Sequence, residues 1–399
     1  MARVLYITTS QPGSNPRLRK SADTMSGAGH QVHVLYLYKS AWATDADAEI
    51  FESAGWTHQL VGGSPSHNRW RYFISRLVRK AAELLGHRKR AFCRGYSEFL
   101  RHGMAFKPTL IVGHNPGALG PIVTLGDRLE VPVVFDAEDY HRGEFPEHTK
   151  EAKETALLEE ELLPKVTAMT AASPLIAEAY RSQFHPKDIV TINNAFPLKY
   201  IAPESTPINT TSQLRVVWFS QVIGSDRGLI EFVSGLSREQ RKTTYLTLIG
   251  NCTSEMKVFI EDQRLAHGLQ VRVVPPMPEK ELMVFIRKHD IGLALEKNTS
   301  LNRDLCRTNK LYTYPLCGLW TIASNTSAQT EFLVEHPEAG CLINLDDADS
   351  IERVVNWANS NREELLQRRI KALAMAKEKL NWEHESLRLQ ECLGALVKP

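Results

Sequence analysis

Long apolar runs are missing from this chain of 399 residues. No stretch of about 18 apolar residues occurs, so nothing in the sequence is expected to span a bilayer. Cysteine is sparse and scattered. Cys93, Cys252, Cys306, Cys317, Cys341 and Cys392 include no Cys-x-x-Cys pair, which argues against both a disulfide framework and a zinc site and for reduced thiols. An excess of one charge is missing too. The formal net charge is +2, which removes any global case for nucleic acid as a partner. No internal repeat or low-complexity tract occurs. The opening segment MARVLYITTSQPGS carries one charge and a short apolar run that ends in Pro and Gly. It reads as a first β-strand, not a signal peptide, and the cytoplasm is the expected compartment.

What is present is ordinary globular composition, 43% hydrophobic and 24% charged, over a length that suggests two domains. Short apolar runs recur, each followed by a helical pattern. Val4 to Thr8, Val32 to Leu37, Leu110 to Gly113, Val131 to Phe135, Thr167 to Ala171 and Ile189 to Ile192 are strand candidates. Asn15 to Gly29 and Gly120 to Leu129 have helical spacing. Between Asn193 and Leu214 the pattern breaks at Pro197, Pro203, Pro207 and a polar NTTSQ run, which reads as a linker. It then restarts at Val216 to Phe219, Tyr245 to Ile249, Val271 to Val274, Ile291 to Leu295, Trp320 to Ala323 and Gly340 to Asn344, before a helical tail from Ser350 to Leu396. The expected layout is α/β, with doubly wound parallel sheets in domains 1–200 and 214–380. Residues 201–213 would link them, and a C-terminal helix 381–399 would pack back on the first domain.

The densest chemistry lies in TNKLYTYPLCGLWTIAS, Thr308 to Ser324, followed by Asn325-Thr326-Ser327-Ala328-Gln329. Small and polar residues after a buried strand, with a helix expected next, offer backbone N–H groups and a helix dipole to an anion. Lys310 adds a positive charge. A phosphate or pyrophosphate is the natural ligand. This run resembles the donor-site signature of retaining GT-B glycosyltransferases of the large group 1, family 4-like. That pattern is roughly Pro-x-Lys-(Leu)-x-Glu-(Tyr)-x-x-x-Gly-x-Pro-(Val)-(Ile)-Ala-Ser. The family's acidic residue falls here on Thr313, its proline after the glycine on Trp320, and its usual Gly-Gly on Ser327-Ala328. The resemblance covers most of the chain and implies two Rossmann-like domains facing a cleft, with the donor in the second and the acceptor in the first.

Other segments fit the same resemblance. Trp218 to Leu229 matches a loop where the family carries a basic residue a few positions before Lys-Gly or Arg-Gly. Gln221 takes the earlier position, whereas Arg227-Gly228 is intact after Gly224. Arg227 and Lys310 are thus expected to clamp the donor diphosphate and to act in catalysis. Glu296, Thr313, Ser327, Ala328, Gln329 and the helix-start Glu331 complete the expected donor site. In the first domain, Arg17 in NPRLRK and His114-Asn115 after a strand are candidates for the acceptor side. The run FDAEDYH resembles the family's Asp-Ala-His-Glu segment, with Glu138 in the histidine position. Glu138 or Asp139 is expected to orient the acceptor hydroxyl or take its proton. The resemblance implies retention of configuration and no cofactor or metal, and no His, Cys or Asp cluster has ligand spacing.

Arg69 to Arg94 holds nine Lys or Arg and one acidic residue, Glu83. Phe73, Ile74, Leu77, Val78, Ala81, Leu84 and Leu85 recur at helical spacing behind Trp70 and Tyr72. Such a helix either packs its stripe on the first domain or lies on an anionic membrane face. The expected reaction is transfer of a sugar from a nucleotide diphosphate sugar to a hydroxyl of a glycan or lipid-linked acceptor. The alternatives are a non-hydrolysing sugar-nucleotide epimerase and a degenerate, non-catalytic GT-B scaffold.

Overall fold

The computed structural model describes residues 1–184, 188–201 and 213–397. The expected linker, 201–213, lies almost entirely outside the described residues. The chain divides into two compact units, Met1–Asn193 with Ser386–Pro399, and Asn194–Glu385.

Unit 1 holds a seven-stranded parallel sheet in the order β3-β2-β1-β4-β5-β6-β7. The strands are β1 Arg3–Thr8, β2 Gln31–Leu37, β3 Thr57–Val61, β4 Leu110–His114, β5 Val133–Ala137, β6 Ala168–Ala171 and β7 Ile189–Thr191. Val4, Leu5, Tyr6 and Ile7 are wholly buried, as a strand covered on both faces requires. Strand order reverses between β1 and β4, where Tyr6 pairs with Val34 on one side and Val112 on the other. Ligands of such sheets gather at the carboxyl ends of strands at this reversal.

Unit 2 repeats the plan with six parallel strands, β10-β9-β8-β11-β12-β13. They are β8 Leu214–Ile223, β9 Thr244–Cys252, β10 Gln270–Val274, β11 Ile291–Ala294, β12 Trp320–Ser324 and β13 Gly340–Ile343. Alternate residues feed two apolar layers. Val216, Trp218, Leu246, Leu248 and Leu293 enter one, and Val217, Ile249, Ala294 and Tyr314 the other. Gly292 lies under the Tyr314 ring, where an added Cβ would come to 2.1 Å. The reversal here falls between β8 and β11.

The expected strands all form. β3 and the helix Trp42–Ser53 come in addition. β3 is an edge strand with an exposed start, so its THQLV carries no apolar run. The helical tail is three helices, Ala348–Ser360, Arg362–Lys379 and Trp382–Leu396. The six cysteines are free, and only Cys93 and Cys317 are fully buried. No helix among the described residues is long and apolar enough to cross a membrane.

Candidate functional site

In unit 2, chain reversal puts the ends of β8, β11 and β12 side by side. β11 ends at Ala294, and Glu296 follows two residues later, buried. Ser324, the last residue of β12, fixes it there. Its Oγ accepts from the Glu296 N–H and donates to the Glu296 carbonyl, both at 2.8 Å. β8 leads into the short turn Ser225–Arg227, and Gly228 follows at φ 76. A Cβ there would meet Leu345 Cδ1 at 2.6 Å, so the Arg-Gly pair needs its glycine.

Three cations converge on the Glu296 carboxylate. Arg227 Nη1 donates to both oxygens, at 3.0 and 2.9 Å. Lys310 Nζ stands 3.7 Å from Oε1. Arg303 Nη1 is 3.5 Å from Oε2, and its Nη2 donates to Asp226 at 2.7 Å. Lys310 is buried over the rings of Trp218 and Phe219, at 5.4 and 5.8 Å. Burial pulls its pKa down; Glu296 opposes that shift and Arg227 adds to it. Asp226 is held below the usual carboxylate range, since Arg303 and Arg227 outweigh its partial burial. Three cations against the carboxylates of Asp226 and Glu296 leave the cluster with an excess of positive charge suited to an anion.

The helix Ser327–Glu335 starts beside this cluster. Thr326 caps it by accepting from the Gln329 N–H. The Ser327 N–H and hydroxyl both donate to Asp304, at 2.8 and 2.6 Å. The anion position expected at this helix start thus holds a carboxylate of the chain itself. Ala328 and Gln329 are wholly buried, and Gln329 donates to Ser324. Glu331 pairs with Arg307, which also holds Glu335. Thr313 is wholly buried with its hydroxyl donating to Asn309 O at 2.9 Å, so it is placed to brace its own helix, not to reach a ribose. Gly224 is buried ahead of the Arg227 turn.

In unit 1, the reversal between β1 and β4 carries a second charged group. His114 ends β4, and Asn115 follows at φ 69, ψ 152, a region that side-chain-bearing residues seldom occupy. Asn115 Oδ1 accepts from Thr8 at 2.9 Å, and its Nδ2 donates to Glu138 at 3.1 Å. His114 Nδ1 lies 2.7 Å from Glu138 Oε1 and 3.1 Å from Asp136 Oδ2. Burial lowers the imidazole pKa, but the two carboxylates outweigh it and lift it to about 9. His114 is therefore a cation at neutral pH, and its buried Nε2 has no hydrogen-bond partner.

Arg17 is placed otherwise than expected. It donates through Nε and Nη2 to both oxygens of Asp136, at 2.6 and 2.7 Å, and through Nη1 to Ile192 O. Only 4% exposed, it anchors Asp136 and does not present its fork to a ligand. Glu138 is likewise engaged on both oxygens, by Asn15 and His114 on one and Asn115 on the other. That suits orientation of His114 better than removal of a substrate proton. Asp139 stands beside His141 and Glu144.

Among the described residues, two groups bring possible metal ligands within 4.8 Å of one another, His114-Asp136-Glu138 and Asp139-His141-Glu144. The fold assembles them from residues whose sequence spacing gave no sign. In the first, Arg17 occupies Asp136, and His114 is protonated toward its carboxylates, so the set does not suit a divalent cation. In the second, His141 is lifted to about 9 because its Glu144 and Asp139 neighbours outweigh burial. The sequence does hold two Asp-x-Asp pairs, Asp45-Ala46-Asp47 and Asp347-Ala348-Asp349, and both include a carboxylate engaged with the chain itself. Asp47 accepts from Gly13 N and Gln11, and Asp347 caps the helix Ala348–Ser360.

Sequence reasoning missed Arg303 and Asp304. Both sit on Leu301–Leu305, a five-residue helix with no apolar period to reveal it. The only cue is Arg303-Asp304 a few residues past Glu296.

Residues 13–195 match the model of a glycosyl transferase 4-like domain. No curated protein matches the chain. Among solved structures, 99% of the chain aligns with all of HepE from Anabaena in complex with UDP-glucose, at TM-score 0.72 and 14% identity. Sucrose-phosphate synthase from Thermosynechococcus elongatus gives TM-score 0.71 at 14% identity, with 99% of each chain covered. WaaG, a glycosyltransferase of lipopolysaccharide biosynthesis, gives 0.66 at 12%, covering 98% of this chain and 100% of that one. At such identities these structures carry the fold alone, and the fold is GT-B. The family likeness at residues 13–195 spans just under half of the chain and is to a glycosyltransferase domain.

Proposed function

We propose that the chain moves a sugar from a nucleotide diphosphate sugar to an acceptor hydroxyl, with retention of configuration and without a metal. The observation that carries this is the convergence of Arg227, Arg303 and Lys310 on Glu296 at the strand reversal of unit 2. Fixed cations aimed at a departing diphosphate neutralise charge that grows in the transition state, the task a metal ion performs in other sites. Unit 2 takes the donor. Glu296 holds the cations in place beforehand and is left to meet the sugar hydroxyls when the diphosphate draws them away.

Unit 1 takes the acceptor beside His114. The protonated imidazole, held by Glu138 and Asp136, presents its unpartnered Nε2–H as a donor to a sugar or acceptor oxygen. The complexes of HepE with UDP and UDP-glucose support a nucleoside diphosphate donor. The acceptor is a glycan or a lipid-linked glycan, and the enzyme works in the cytoplasm at an anionic membrane face. The helix Arg69–Leu84 supports that last point. It packs on unit 1 through Ser75 and Ala82 and leaves Trp70, Phe73, Ile74, Leu77 and Val78 exposed between its arginines.

The test is a panel of nucleoside diphosphates by thermal shift, followed by transfer assays with the nucleotide sugar that binds. Turnover that requires an acceptor supports transfer. Epimerisation of the nucleotide sugar without acceptor replaces it with the epimerase reading, and no binding of any nucleoside diphosphate leaves the non-catalytic scaffold.

A further inference from the structure

Just past the end of the exposed helix Arg69–Leu84, residues Gly86 to Arg90 line a pocket of about 560 Å³ that lies outside the proposed donor and acceptor sites. The helix ends at Leu84, Gly86 with a φ of 71 turns the chain, and Arg88–Phe92 follows as a second short helix. Gly120, on the helix Pro116–Leu129, lets that segment close down. A Cβ there would come within 3.1 Å of both Lys89 Cβ and Tyr96 Cε2.

The lining is cationic. Arg88, Lys89, Arg90 and Arg128 contribute four positive side chains against one carboxylate, Glu161. Glu161 is already shared by Arg88 at 3.5 Å and Lys89 at 3.2 Å, and Arg88 also donates to Glu154 at 3.2 Å, so the charge offered to a ligand rests on Arg128 and on Arg90, which lies over the Tyr96 ring at 5.5 Å. The hydroxyls of Tyr96 and Thr124 share one hydrogen bond of 2.7 Å, so a second hydroxyl proton is left to donate. Guanidinium forks with a hydroxyl donor suit the free oxygens of a terminal phosphate better than the two of a phosphodiester.

Leu84 and Leu85, 78% and 71% exposed, directly precede the lining residues Gly86 and His87. An apolar contact thus stands next to a cationic pocket, roomy enough for a whole phosphate-bearing headgroup, on one turn of chain. We infer that this cavity binds the phosphate-bearing headgroup of a membrane lipid, with Leu84 and Leu85 against its acyl region. The inference rests on the membrane reading above and adds a selective site to it.

Co-sedimentation with vesicles tests it. One set carries phosphatidic acid and the other phosphatidylglycerol, at matched surface charge. The wild type is expected to partition about tenfold more strongly to phosphatidic acid, the lower end for one charge-assisted hydrogen bond. The Arg90→Glu, Arg128→Glu double variant, checked by its melting temperature, loses that preference but still binds phosphatidylglycerol in low salt. Equal wild-type binding to both vesicles, or a preference that survives the double variant, overturns the cavity assignment and leaves the membrane reading standing. Binding to neither vesicle overturns both. Soluble glycerol 3-phosphate that is bound as tightly as vesicles overturns the lipid assignment in favour of a free phosphate ligand.

Discussion

One guanidinium nitrogen of Arg227 bridges both oxygens of Glu296, at 3.0 and 2.9 Å, although the residues stand 69 positions apart. The pair ties the β8 turn to the end of β11 and sets where the positive charge of unit 2 lies. Lys310 joins the same carboxylate from the helix that follows. Arg227→Ala and Lys310→Ala are each expected to lose roughly 2–4 kcal/mol of transition-state stabilisation, the scale of one lost oxyanion donor. Steady-state kcat/KM with a transferred sugar reads this loss. Turnover near wild type in both variants would sink the assignment of the diphosphate site.

Arg303 and Asp304 make a prediction of opposite signs from adjacent residues. Arg303 stands where it can compensate for the absent basic residue at Gln221, so Arg303→Ala is expected to weaken nucleoside diphosphate binding about tenfold, near 1.4 kcal/mol. Asp304 holds the N–H and hydroxyl of Ser327 at a helix start and competes there with a phosphate. Asp304→Asn is expected to tighten binding severalfold, since the carboxylate charge no longer opposes the ligand. Isothermal calorimetry checks both signs. Tighter binding by Arg303→Ala, or weaker by Asp304→Asn, contradicts the placement of the diphosphate between them.

Much of this was legible in the sequence, for physical reasons. Buried parallel strands such as LYIT and WTIAS must be apolar throughout, so their runs announce both sheets. β3, half exposed at an edge, carries no such run and was silent. Arg227 and Glu296 follow strands at the reversal point, where strand ends can be counted from the pattern, and Lys310 opens the helix Lys310–Leu316 ahead of β12. Whether a charged residue is free or already paired cannot be counted, because the partner is distant in sequence. Arg17 and Asp136 lie 119 positions apart, and their two-pronged pair turned an expected ligand contact into an internal anchor. The metal-like grouping of His114, Asp136 and Glu138 was hidden for the same reason.

That grouping bears on cofactors. With Asp136 held by Arg17 and His114 protonated, a divalent ion would have to displace two cations, and the three cations of unit 2 leave no charge for one to supply. Transfer activity is expected to survive EDTA undiminished. Complete loss on chelation, restored by Mn²⁺ or Mg²⁺, would overturn the metal-free reading.

His114 also sets a pH dependence. Its folded pKa is about 9 against an ordinary 6.5: burial disfavours the charge, while Asp136 and Glu138 favour it more. A group raised in the folded state contributes its full stability below about pH 6.5 and loses it as pH climbs through about 9. His114→Gln removes this term. The melting temperature of the wild type should therefore exceed that of the variant most near pH 6, with the gap shrinking by pH 9.5. A gap that stays constant over this range would mean that His114 is not protonated in the fold.

The helix Arg69–Leu84 turns the usual arrangement around. Its buried residues are small, Ser75 and Ala82, and Ser75 donates to Gly62 O. Its large apolar residues point to solvent, with Trp70 81% and Leu77 69% exposed. Arg94, by contrast, is buried against the carbonyls of Gly62 and Tyr38 and is no surface charge. Each basic residue near an anionic bilayer contributes about 1 kcal/mol, so the remaining cations of the segment together with the apolar stripe suffice for micromolar attachment. Salt should weaken the electrostatic part, while Trp70→Ala with Phe73→Ala should weaken binding at every salt concentration. Co-sedimentation with anionic liposomes at low and high salt separates the two contributions. Reversing Arg76, Arg79 and Lys80 to glutamate should abolish binding at low salt without changing transfer to a soluble acceptor. Retained binding in that triple variant, or none in the wild type at low salt, would leave the apolar stripe to another partner and the enzyme to a soluble acceptor.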